Sequence, residues 1–152
     1  MDTDKETDTE SKFINLFNKK LLEFANDLVS IFPSMYDFQI FQIAVEWSIK
    51  IDIHAPLSFF NYHIKDRFHQ KILNKDESFF LCESFEDCNK YIDHYGHDLN
   101  LIEKLKNIWQ TLDEDNKSII WRYMQVLLIV SEKCKPKNLN DLHKNIFVAK
   151  RV

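Results

Sequence analysis

Cys82, Cys88, His94 and His97 form a C-x5-C-x5-H-x2-H series, two thiolates and two imidazoles of the kind tetrahedral zinc accepts. Structural zinc sites place their paired cysteines two to four residues apart. Here the wider gap holds Phe85, and Tyr91 falls between Cys88 and His94, as core side chains would. The expectation is therefore free thiols beside surface histidines, with no cofactor. Asp93 with His94, and His63 with Asp66, are acid–base pairs in composition alone. General acid–base work also needs a cleft and tuned pKa values. Asp113, Glu114 and Asp115 stand where a helix N-terminus favours negative charge, so capping accounts for them better than a carboxylate metal site. No nucleophile arrangement stands out, and the chain is expected to have no catalytic residue.

The single glycine, Gly96, against 13 phenylalanines removes whole classes of chemistry. Phosphate loops, dinucleotide turns and the GxSxG elbow need glycine where backbone approaches a ligand or turns sharply. The 17 lysines against 3 arginines, with 16 isoleucines and 12 asparagines, match an AT-rich coding bias. Such a bias accounts for scarce glycine without restoring the excluded loops.

Charge is uneven along the 152 residues. Residues 1–11 carry Asp2, Asp4, Glu6, Asp8 and Glu10 against Lys5, a net −4, and read as a disordered acidic tail. Residues 135–152 read as a basic tail, within which Leu139, Leu142, Ile146 and Phe147 are spaced to let a short helix dock. Lys135, Lys137, Lys144, Lys150 and Arg151 are candidate phosphate contacts. Lysine neutralises phosphate without reading bases, so nucleic-acid association is the alternative function. No early apolar leader and no run of about 18 apolar residues occurs. With an odd number of cysteines, this points to an intracellular chain, neither secreted nor membrane-spanning.

Between the tails, residues 12–134 carry helical periodicity. Phe13, Leu16, Phe17, Leu21, Phe24, Leu28, Ile31 and Phe32 recur at steps of three and four until Pro33. Ser34 with Asp37 resembles a capping box for a second helix, about 35–51, that is expected to be central. Pro56 opens a third helix through Ile72, closed by 74–77. Residues 78–100 give no clear pattern beyond a short helix near 85–94. Leu99–Leu112 and Asn116–Lys133 predict an antiparallel hairpin, with Thr111 and Glu114 as a second capping box. The fold class is all-α, one compact bundle of five or six helices.

FINLFNKKLLEFANDLVSIFP and LIEKLKNIWQTLDEDNKSIIWRYMQVLLIVSEK resemble small uncharacterised helical proteins of giant nucleocytoplasmic large DNA viruses. The shared pattern is a helix ending in apolar-Phe-Pro and a Trp-bearing helix. An acidic turn with Asn116 and Lys117 follows, then Trp121 ahead of Tyr123 and Gln125. The resemblance implies a viral origin and a helical fold, hence host cytoplasm or virion, and lends no mechanism. The apolar 118–130 helix is also comparable to the central helix of Bcl-2-like decoys, whose Asn-Trp-Gly-Arg signature is absent. Trp47, Trp109, Trp121 and Tyr123 are the expected core or interface anchors. An excess of apolar faces on the second and last long helices points to a protein-interaction or structural role through a partner or self-association.

Overall fold

The computed structural model describes residues 2–78 and 106–134. Helix α1 (Asp2–Ile31) is followed by α2 (Tyr36–Ile51) and α3 (Ala55–Phe60). A π turn (Asn61–Lys65) joins α3 to α4 (Asp66–Leu73), and α5 (Glu114–Lys133) closes the described chain. No strand occurs among the described residues, so the all-α class read from the sequence holds.

α1 is the spine. Its Asp27 and Phe24 meet Tyr123 of α5, and its Phe13 meets Lys133, so the two helices run antiparallel. Asn26 bonds Gln42 of α2, and Asn18 Nδ2 donates to Ile53 O at 2.9 Å, so α2 also opposes α1. It follows that α2 and α5 are parallel and end at the same end of the bundle. Phe17, Leu28, Phe38, Ile72, Trp109, Ile120 and Leu128 form the driest part of the core.

Several expectations change. α1 begins at Asp2, not near Lys12, so the acidic segment is helix. A helix already nucleated by packing extends cheaply. Asp8 and Thr9 remain exposed. Ser34 does not cap α2, whose N-cap is Met35 with no side-chain bond. Instead Phe32 stacks on Phe38 at 4.9 Å, an apolar staple across the Pro33 corner. α2 is also peripheral, with only Phe38 and Val45 buried, because α1 lies between it and α5.

The remaining corners are held by polar side chains. Thr111 turns back onto Ile108 O at 2.8 Å, and Asp113 caps α5 by accepting from Asn116 N at 2.8 Å. Thr111 is therefore not the cap. Pro56 sits in the first turn of α3. α4 ends in paired bonds, Asp76 N to Lys71 O at 2.8 Å and Lys75 N to Ile72 O at 3.3 Å, the closure that usually uses glycine. Lys75 takes the left-handed position with φ 50°. Gln125 Nε2 donates to Ile72 O and Leu73 O, both at 3.2 Å, which ties this helix end to α5. A lysine in left-handed backbone carries a steric cost that glycine escapes. Lys75→Gly should therefore raise stability by about 0.5–1 kcal/mol, read as a higher urea midpoint at unchanged slope. A lower midpoint would mean that the lysine side chain itself holds the corner.

Candidate functional site

α5 and α2 were both expected to carry apolar surplus, and their fates differ. On α5, Ile120, Trp121, Met124, Leu127, Leu128 and Val130 are buried while Ile129 is 48 % exposed, so most of its surplus is internal. Trp121 meets Trp109 edge to face at 5.6 Å, with Trp109 at 0 % exposure. Lys117 lies 5.6 Å from the Trp109 ring and 3.4 Å from Glu77, which pins the start of α5 to the end of α4. Both tryptophans are core.

Tyr123 is half-buried and serves as a clamp. Its ring stacks on Phe24 at 5.1 Å, and its hydroxyl donates to Asp27 Oδ2 at 2.5 Å. Loss of water, then the bond to Asp27 and its negative charge, push the phenol up to about 12. The neutral phenol, the donor form, is thus held by the α1–α5 contact.

On α2 the surplus faces outward. Tyr36, Ile43, Trp47 and Ile51 are 68, 51, 60 and 73 % exposed. With half-buried Ile40 they step by four, three, four and four residues, which is one helical face about 24 Å long. Phe38 and Val45 hold the opposite side to α1. Lys50 Nζ stands 5.7 Å over the Trp47 ring, an exposed cation–π contact worth about 0.5–1 kcal/mol. Ala44 is exposed near the middle of this face. Lone exposed apolar residues are ordinary, whereas a continuous stripe rimmed by polar groups marks a contact surface. Of the expected anchors only Trp47 lies on this stripe. Tyr36, Ile43 and Ile51 were not singled out, though their spacing was there to find.

Among the described residues the catalytic and metal candidates do not gather. His63 is buried in the π turn between the Phe59 and Tyr62 rings, at 4.5 and 4.8 Å. Asp66 is exposed at the start of α4. Asp113, Glu114 and Asp115 stand at the start of α5, where Asp113 caps it. Among the described residues no group of three or more His, Cys, Asp or Glu is placed to hold a metal ion. Cys134 is a free, buried thiol whose pKa burial pushes up, so it resists ionisation. Cys82, Cys88, Asp93, His94, His97 and the tail residues Lys135, Lys137, Lys144, Lys150 and Arg151 lie outside the described residues. Among the described residues no helix is long and apolar enough to cross a membrane.

The Tyr123 clamp gives a measurable pH signature. Its raised pKa means the folded chain keeps the proton when the unfolded chain, near 10, has released it. Its stabilising effect is complete below pH 10 and falls as pH rises towards 12. Tyr123→Phe should cost about 1–2 kcal/mol at neutral pH. The gap to wild type, from urea unfolding at stepped pH, should narrow between about pH 10 and 12. A gap constant with pH would remove the phenol from the clamp.

No protein-family model, curated protein or solved structure matches this chain, so the purpose of the α2 face has to be argued from its own chemistry.

Proposed function

We propose that this chain is a non-enzymatic protein-interaction module that binds through the outward face of α2. One observation carries the reading. Tyr36, Ile43, Trp47 and Ile51 stay exposed on a single stripe although the same helix buries Phe38 and Val45. Leaving that much apolar surface in water forfeits several kcal/mol at about 25 cal/mol per Å², which a partner would recover. An interaction role in a viral setting, whether assembly, replication compartment or host contact, agrees with the resemblance in the α1 and α5 segments. Nucleic-acid association remains the alternative through Lys135, Lys137, Lys144, Lys150 and Arg151. The α2 face lends it no support: its helix carries Asp37 and Glu46 against Lys50, no counterpart to a polyanion.

A pair of tryptophan variants separates anchoring of a partner from anchoring of the core. Trp121→Ala should cost about 3–5 kcal/mol in urea unfolding. Trp47→Ala should cost no more than about 1 kcal/mol, the Lys50 contact included, and leave the helical circular dichroism unchanged, yet abolish retention of protein on the immobilised chain. Retention identical for wild type and Trp47→Ala would overturn the reading.

A further inference from the structure

We infer that the occupant of the α2 face is a second copy of this chain, packed antiparallel about a two-fold axis that passes between Ile43 and Ala44. This rests on α2 being an interaction surface and adds what it binds.

The stripe is close to its own reverse. Turned end for end about that axis, Tyr36 falls level with Ile51 of the other copy, and Ile40 with Trp47. Ile43 then meets its own counterpart at the centre. Large side chains lie towards both ends, and exposed Ala44 lies near the midpoint, where a small residue lets two helix axes approach to about 8 Å. A two-fold pairing uses the same patch twice, and reversed helices also oppose their dipoles favourably.

Area agrees. Tyr36 and Trp47, aromatic side chains of about 150–250 Å² each, are 68 and 60 % exposed. With Ile43 and Ile51 they offer on the order of 500 Å² per copy, hence about 1,000 Å² for two. Ile40, Ala44 and the Lys50 stem bring the total to the lower edge of specific interfaces, about 1,200 Å². The expected dimer is therefore a weak, reversible one. Charge does not oppose it, because α2 carries Asp37 and Glu46 against Lys50, a net of −1 per copy.

The symmetry supplies a test that no unlike partner would pass. At the axis, residue 44 of one copy lies beside residue 44 of the other. Ala44→Glu and Ala44→Lys each place like charges there, at an exposed helical position where either substitution costs the fold only tenths of a kcal/mol. Sedimentation velocity on the full chain should show wild type passing from monomer to dimer as concentration rises. Each variant alone should dimerise at least about ten-fold more weakly. An equimolar mixture of the two should regain dimer, with circular dichroism confirming equal helix content throughout. Wild type that stays monomeric up to about 1 mM, or a dimer indifferent to both variants and to their mixing, overturns self-pairing. If a monomeric wild type still retains another protein in a manner lost with Trp47→Ala, the interaction surface survives and only its occupant was wrong. Loss of that retention difference as well would overturn both.

Discussion

The arrangement depends on α1 packing against two helices at once. Phe17 and Leu28 are buried along it, Phe24 and Asp27 engage Tyr123 of α5, and Asn26 and Asn18 engage α2 and the turn that follows it. A helix shared in this way puts its partners on different flanks. Each partner then has only one side against the spine. α5 finds further cover from Trp109, Ile72 and the end of α4, while α2 keeps a bare flank. The exposed stripe is thus a consequence of topology as much as of α2's own sequence.

The polar contacts serve that arrangement. Asp113 fixes where α5 starts, Lys117 and Gln125 tie it to the end of α4, and Tyr123 ties it to α1. Asn116, Lys117, Trp121, Tyr123 and Gln125 all lie on α5. Each has a structural task in this fold: a capped amide, an ion pair over a ring, a tryptophan contact, a clamp and a carbonyl tie. The scarcity of glycine shows at the same corners, where Lys75 adopts left-handed backbone and the Asp52 and Asp76 side chains accept from the amides of His54 and Ser78.

Helices were legible because burial acts on period: the three-and-four spacing of Phe13 to Phe32, the stop at Pro33 and the start at Pro56 all survive in the fold. Caps were less legible. Ser34 and Thr111 have the chemistry of caps, but the chain's path decides which short polar side chain reaches a free amide. At one corner a Phe32–Phe38 stack replaced the cap, and at the other Asp113, two residues on, took it. The acidic start misled because solvated was equated with irregular. A helix can stay solvated, as α1 does at Asp8 and Thr9. The π turn around His63 has no signature in spacing, since it inserts a residue into an otherwise helical run.

The candidate site was half legible, for a physical reason. Composition alone shows that α2 has more apolar residues than one contact can cover. Which of them remain outside depends on the rotation of the helix about its axis. Phe38 and Val45 set that rotation by entering the core, and this carries Tyr36, Ile43, Trp47 and Ile51 to the far side together. Had the helix turned by a third of a revolution, the aromatic bulk of Trp47 would have entered the core and no continuous stripe would remain. The phase chosen by two buried side chains therefore determines whether this chain carries an exposed apolar stripe at all.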